Sequence, residues 1–426
     1  MKQFTRLILF VVAAALLSMT MTAVVAQDEP VTLNLWMFLD GTGFLPSVVD
    51  AFQKAHPNIT VQITDIPEDD YATKVETSIL AGQPPDIGFP YNPRWIKAGY
   101  VLPIDDAMAA QGINLADYNA GAVSRNCMMD GHVYCLGSYT GATLMFYNKD
   151  MFDAAGIPYP SATEPMTIDE YVDIAMKLNV PSDDPAKRVW GGALPAPFWM
   201  EVQDYVSEDG RTAIGYVNDE DTVHFYQKVV DLYNSGAALT SADLTMLGGE
   251  TPDLLASGQL AMGVTDSVLA QPLLEANDVR WGAAPPPVEV AGQKPWVYTG
   301  SDELMAFSGS AHPDEAIMFV LFWGTEADRM RLEADGLPLD MRMAEEGNWA
   351  GDSEGRQEML AAIKTARPTV FIPQWYFLLD PISEALNGSM IEDGMSAKDA
   401  LDEAAPIVQD ELDQQWETWD NTQPNQ

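Results

Sequence analysis

The sequence predicts an α/β protein divided between two domains, on three observations. A strand–helix–strand unit opens just after residue 30, and strand-like and helix-like segments then alternate as far as residue 410. The length, 426 residues, exceeds the ~250–300 at which a single hydrophobic core stops growing. Hydrophobic residues make up 47% of the chain and tryptophans number 11, ample material for folded cores.

Taken in order, the first residues predict an export signal. Lys2 and Arg6 supply the positive start, residues 7–17 the apolar run, and Val24-Val25-Ala26 a small-residue cleavage site that assigns residues 1–26 to the signal. The competing reading is a membrane anchor, but the run falls short of the ~20 residues that cross a bilayer and is broken by Ser18, Thr20 and Thr22. No cysteine lies near the cleavage site to carry a lipid. The expectation is a monomer exported to the periplasm or the cell exterior, soluble after cleavage.

Val31, Leu33 and Leu35 then alternate with Thr32, Asn34 and Trp36 as a half-buried strand. A turn at 38–43 leads to a helix with Phe44/Leu45, Val48/Val49 and Phe52 on one face. Ile59, Val61 and Ile63 alternate again, so the helix is a crossover and the two strands are parallel. A helix over about 70–80 ends at Gly82, and Ile87 opens a short strand after Asp86. Thr167-Ile168-Asp169-Glu170 is a capping box. Pro313-Asp314-Glu315 starts a helix whose continuation over 316–323 is apolar nearly all round. The last helix begins at Ser396, with Pro406 expected to kink it.

Charge and cysteines narrow the functional classes. Acidic residues number 63 against 22 basic ones, a net charge of −41, which repels nucleic acid and anionic membranes. The same acidity either attracts cationic ligands or serves as a solvated surface. Cys127 and Cys135 flank Asp130-Gly131, a hairpin signal, and an exported chain permits a disulfide between them. A metal site there would have only His132 to add, so no metal is expected. Catalytic signatures are missing: His56, His132, His224 and His312 are scattered without an HExxH pair, GSYTG puts its serine one place early for a nucleophile elbow, and no phosphate loop occurs. No cofactor is expected.

Several strings resemble the family of extracellular solute-binding proteins that includes maltose-binding protein. VTLNLWMFLDGTG looks like its first strand and ligand loop, AFQKAHPNITVQI its first helix and second strand, and SILAGQPPDI with IKAGYVLPIDD the next segments. DGHVYCLGSYTGATLMFYNKDMFDAAGI carries Tyr147-Asn148-Lys149-Asp150 at the usual place, and LASGQLAMGVTDS, GSAHPDEAIMFVLFWGTEADRM, DGLPLDMR and SAKDALDEA follow in the family's order. The resemblance covers nearly all of residues 31–410. It implies the type II periplasmic-binding-protein fold: two discontinuous α/β lobes with a ligand cleft between them. Carried over, residues 27–140 with 285–338 form the first lobe and 141–284 with 339–426 the second, the chain crossing near 139–143, 283–286 and 336–340. The implied partners are a small-molecule ligand, most simply a sugar, and the permease subunits of an ABC transporter.

A sugar site combines hydrogen-bonding side chains with aromatic plates in a concave pocket. Asp40 matches a ligand-contacting aspartate, although a turn or capping role is open. Tyr91 and Asn92 are expected to face the cleft, Asp86 to be structural, and Tyr139 and Thr140 to lie at the first crossing. Phe198 and Trp199 match a loop that supplies a stacking aromatic, with plain core as the other reading. Asp266 matches a ligand loop, where Ser267-Val268 replaces the tryptophan of maltose-binding protein and argues against a maltodextrin. Trp296, Tyr298, Gly300 and Ser301 follow, then Trp375 and Tyr376 in the segment that closes over ligand. Arg342 either donates to hydroxyls or pairs with surface acids. Three other functions remain: a binder of a cationic solute such as a polyamine or betaine, a secreted glycosidase using two of the many carboxyls, and an adhesion module. The absence of adjacent tyrosines disfavours ferric iron.

Overall fold

The computed structural model describes residues 29–38, 44–119, 127–184, 187–194, 205–295, 297, 299–365 and 371–424, with the backbone alone at 241, 242, 375 and 376. The described strands are β1 (Val31–Met37), β2 (Ile59–Asp65), β3 (Ile87–Gly88), β4 (Met128–Met129), β5 (His132–Val133), β6 (Cys135–Gly137), β7 (Gly141–Asn148), β8 (Trp190–Ala193), β9 (Leu260–Asp266), β10 (Trp281–Ala284), β11 (Thr299–Gly300) and β12 (Glu303–Ala306). The helices that matter below are α1 (Phe44–Ala55), α2 (Glu68–Leu80), α3 (Arg94–Lys97), α4 (Ile168–Leu178), α5 (Glu220–Asn234), α6 (Ser267–Ala276), α7 (Pro313–Phe322), α8 (Asp328–Glu333), α9 (Glu354–Ile363) and α10 (Ala397–Asn421).

Two five-stranded arrangements form the two lobes. The first sheet runs β2-β1-β3-β12-β6. β1 pairs in parallel with β2 over its whole length, as the expected crossover requires, and with β3, whereas β12 is antiparallel to its neighbours. The alternation of β1 is realised: Val31, Leu33 and Leu35 are buried and Thr32 and Asn34 exposed. Phe52 of α1 meets Phe319 and Phe322 of α7 edge-on, which locks both helices to one sheet face. The second sheet runs β10-β7-β9-β8, with β11 pairing the start of β7. β7 is buried on both faces. Leu144 and Phe146 point into one core layer with α6 and α9, while Met145 and Tyr147 point into another with α4, α5 and α10.

Local signals worked where they carried their own geometry. Asp130 and Gly131 take φ of 52° and 82°, the left-handed pair that a two-residue hairpin turn needs, and Cys127 and Cys135 are bonded across β4–β6. Thr167 and Glu170 form the reciprocal capping box. α10 continues through Pro406 as one helix. One expected boundary moves. Residues 285–295, expected with the first lobe, pack on the second: Val288 exchanges backbone hydrogen bonds with Met166 and Ile168, and Thr222 donates to Glu289 at 3.2 Å.

Candidate functional site

Three crossings lie side by side between the lobes, and hydrogen bonds join them. The first is the β6–β7 link, residues 137–141; the second, expected near 283–286, includes β11 instead, because Ala283 and Ala284 pair with Phe146 and Met145 inside the second-lobe sheet; the third is 336–340. Thr299 and Gly300 pair with Ala142 and Gly141. The buried Thr140 donates its N–H to the Leu337 carbonyl at 3.0 Å and its hydroxyl to Pro338 at 3.1 Å. Gly137 is a close approach: a Cβ there would stand 2.1 Å from Ser301 Oγ, so only glycine lets the first and second crossings touch. Ser301 itself donates to Glu303 at 2.9 Å.

The third crossing is pinned by a carboxylate. Asp328, at the start of α8 and fully buried, accepts the N–H groups of Leu339 and Asp340 at 2.6 and 2.8 Å. Burial pushes its carboxyl up to about 8, although the two N–H donors pull the other way.

Beside the crossings lies a cavity of about 360 Å³ shared by both lobes. Phe44 and Arg331 come from the first lobe, Tyr139, Thr140, Gly336 and Leu337 from the crossings, and Ser267, Val268, Gln271 and Glu275 from α6 of the second. The Arg331 guanidinium lies 3.6 Å from the Phe44 ring centroid and 5.0 Å from that of Tyr139, a cation held between two rings. The opposite wall is already bonded. Ser267 Oγ accepts the Ala142 N–H at 2.9 Å, and Glu275 accepts Gln271 at 2.6 Å and Arg356 at 2.5 and 2.7 Å. Arg356 also holds Asp335 through two bonds of 2.6 and 2.7 Å, which keeps that carboxyl below its ordinary range. Two acids of the wall thereby share one guanidinium, which balances one of their two charges.

Asp266 ends β9 and caps α6, accepting the Val268 N–H at 2.7 Å. Burial raises its carboxyl to about 6. Its Oδ2 stands 3.5 Å from where a Cβ on Gly141 would be, with Tyr139 and Val268 around the same point. Glycine at 141 therefore keeps open the space between these three side chains.

Of the residues singled out in the sequence, Tyr139 and Thr140 line the cavity, Asp266 and Gly300 lie against Gly141 at the first crossing, and Ser301 packs behind them. Tyr91 is half-buried beside Phe38 and Tyr71 past the ends of β1 and β3. Burial, then Glu68 and Asp69, raise its hydroxyl pKa. Asn92 does not open to the cleft: it is buried, donates to Glu76 at 3.0 Å and accepts the Arg94 N–H at 3.1 Å, so α3 uses it as a turn. Asp86 accepts from the backbone and side chain of Asn34, a structural role as expected. Arg342 pairs with Asp340 at 3.1 Å and Asp117 at 3.8 Å and does not line the cavity. Trp375 and Tyr376 begin a 3-10 turn, Trp375–Leu378. Asp40, Phe198, Trp199, Trp296 and Tyr298 lie outside the described residues. Among the described residues no group of three His, Cys, Asp or Glu could hold a metal, and no helix is long and apolar enough to cross a membrane.

The model of the family described as bacterial extracellular solute-binding protein matches residues 39–330, more than half of the chain. The chain belongs to that family. Its members are non-catalytic solute-binding proteins. A relative from Brucella abortus (strain 2308), named as a binding protein without a stated ligand, is 23% identical over 385 residues, covering 86% of this chain and 90% of its own. Among solved structures, an ABC substrate-binding protein of Listeria monocytogenes in complex with cycloalternan is 20% identical, with a TM-score of 0.71 over 90% of this chain and 100% of that one. A solute-binding protein of an ABC transporter from Thermotoga lettingae, bound with alpha-D-tagatose, is also 20% identical, with a TM-score of 0.67 over 89% and 99%. At such identities the likeness is one of fold, the two α/β lobes described above.

Phe44, Gln271, Glu275 and Arg331 of this solute-binding protein escaped the sequence reading. Phe44 reads as the first apolar residue of a helix, and Arg331 as one more charge on a helix rich in them. A usable signal was position: Gln271 is one helical turn from Ser267, and Arg331 stands five residues before the third crossing.

Proposed function

We propose that this solute-binding protein takes a neutral sugar between its lobes and presents it to the permease of an ABC importer. The observation that carries the reading is the composition of the shared cavity. A guanidinium, an amide and two carboxylates, with Val268 and Pro272 among them, border one space of about 360 Å³, and the Asp266 carboxyl stands beside it at Gly141. Sugar hydroxyls need donors and acceptors together, and sugar C–H faces need apolar cover. In this reading Arg331 donates to hydroxyls, and Asp266 and Gln271 accept from them. Phe198, Trp199, Trp296, Tyr298, Trp375 and Tyr376 supply aromatic plates, and Asp40 and Tyr91 add polar contacts from the first lobe. Arg342 is left as a partner of Asp340 and Asp117.

A polyamine or betaine would need uncompensated carboxylates around the cation. Glu275 and Asp335 are bound by Arg356, and Arg331 adds positive charge, which supports the sugar reading over the cationic one. A solute contacting both lobes favours the state in which they approach, by the contacts made only there. The exported form, residues 27–426, acts outside the cytoplasm as a monomer. A thermal-shift screen of that form against mono- and oligosaccharides, polyamines and betaines tests the reading. A solute at 100 times its dissociation constant adds about 2.7 kcal/mol. A rise in melting temperature with a sugar supports the proposal; a rise with cations alone overturns it.

A further inference from the structure

The end of α10 belongs to one lobe and touches the other. On the second lobe it is fixed at several points. Arg211 holds Asp420 through two bonds of 3.1 and 3.2 Å and lies 3.8 Å from the Trp416 ring centroid. Trp416 donates its indole N–H to Gly210, and Phe371 lies 4.8 Å from the Trp419 ring centroid. From the first lobe, Lys97 at the end of α3 donates to the Trp419 carbonyl and places its ammonium 4.7 Å from the Trp419 ring centroid. Beyond it, Thr422 and Gln423 border a groove of about 270 Å³ with Leu80, Trp95 and Tyr100 of the first lobe.

These contacts tie the lobes together without using the three crossings. Their place matters. α3 follows the carboxyl end of β3, the end at which open α/β sheets receive ligands. Phe371 directly precedes Ile372-Pro373, which leads into the turn carrying Trp375 and Tyr376. The tie therefore spans the ligand side of the molecule and reaches, through Phe371, the segment proposed to cover the solute.

We propose that Lys97 and Trp419 form a clasp that holds the lobes together in the absence of solute. One lobe contributes a fixed aromatic platform, and the other a single cation that can leave it. A cation–ring contact between half-buried groups such as these shifts an equilibrium by between about two- and thirtyfold, so the clasp biases the lobe arrangement without fixing it. Solute affinity then follows the fraction of chain already in the competent arrangement.

Small-angle X-ray scattering of the solute-free protein, residues 27–426, tests this directly. Lys97→Met keeps the aliphatic stem and removes the cation, and Lys97→Arg keeps the cation. The expected result is a larger radius of gyration for Lys97→Met, wild-type dimensions for Lys97→Arg, and a melting temperature little changed in both. A radius unchanged or smaller in Lys97→Met overturns the clasp. If Lys97→Met also melts early, Trp419→Leu on the partner side must reproduce the expansion, and its failure to do so overturns the proposal equally. No solute enters the experiment, so its outcome is separate from that of the sugar reading.

Discussion

The two walls of the cavity are built on opposite plans. The second-lobe wall is a helix whose polar groups are already bonded within the protein: Ser267 to the backbone of β7, Gln271 to Glu275, and Glu275 to Arg356. The first-lobe wall offers one cation, Arg331, held against Phe44 and Tyr139 by ring contacts. Hydrogen bonds hold the second-lobe wall in place, and ring stacking orients the guanidinium of the first-lobe wall. The difference teaches how so acidic a chain can border a cavity with paired acids on one side and a cation on the other. Glu275 and Asp335 share Arg356, and Arg331 on the facing wall balances the charge that remains.

The joint between the walls is where the largest effect is expected. Asp328→Ala would leave the N–H groups of Leu339 and Asp340 buried without acceptors and remove packing beneath the third crossing. A loss of about 2–4 kcal/mol is expected, read from urea unfolding. Asp328→Asn, which keeps the volume and one acceptor oxygen, should lose less than Asp328→Ala. A loss below about 0.5 kcal/mol for Asp328→Ala would mean that the crossing does not depend on this carboxylate.

Next is the bonded wall. Arg356 is 11% exposed and serves two carboxylates. Arg356→Met should cost about 1–3 kcal/mol, less than a fully buried pair because Asp335 reaches solvent. It should also turn the wall acidic, so that a thermal-shift response to polyamines, expected to be absent in the wild type, emerges in the variant. Arg331→Met sharpens the comparison from the other side. Stability should change by less than about 1 kcal/mol, whereas affinity for the sugar found in the screen should fall about tenfold, the loss of one charge-assisted hydrogen bond. Equal losses in stability and binding would make Arg331 a packing residue.

How far the sequence reached follows the same division. Signals that sit within a few residues were legible: the alternation of β1, the capping box at Thr167, the turn at Asp130-Gly131. So were Tyr139, Asp266 and Gly300, because the resemblance placed them at a crossing or at a strand end. Asp328 and Arg331 were not. Each is one charge on a short helix among 63 acidic and 22 basic residues, and only the tertiary fold buries one under the crossing and slides the other between two rings. The 285–295 segment was misplaced for a related reason. Its pairing with Met166 and Ile168 joins residues more than a hundred positions apart, and nothing local in a proline-rich stretch announces which lobe will hold it.

The last test is the most diagnostic, because one carboxyl should move two measurements in opposite directions. Asp266 is raised to about 6 in the folded chain, above the ~3.9 of an unfolded aspartate. The folded state then holds the proton more tightly, so the stability this group contributes is greatest below about pH 4 and is lost as pH rises through about 6. Binding runs the other way. Accepting a sugar hydroxyl favours the ionised form, so affinity should rise over the same interval and level off above it. Asp266→Asn should flatten both profiles between pH 4 and 7, which separates this residue from the background of other acids. If affinity in the wild type is flat through pH 6 while the stability slope persists, Asp266 caps α6 and does nothing for the solute.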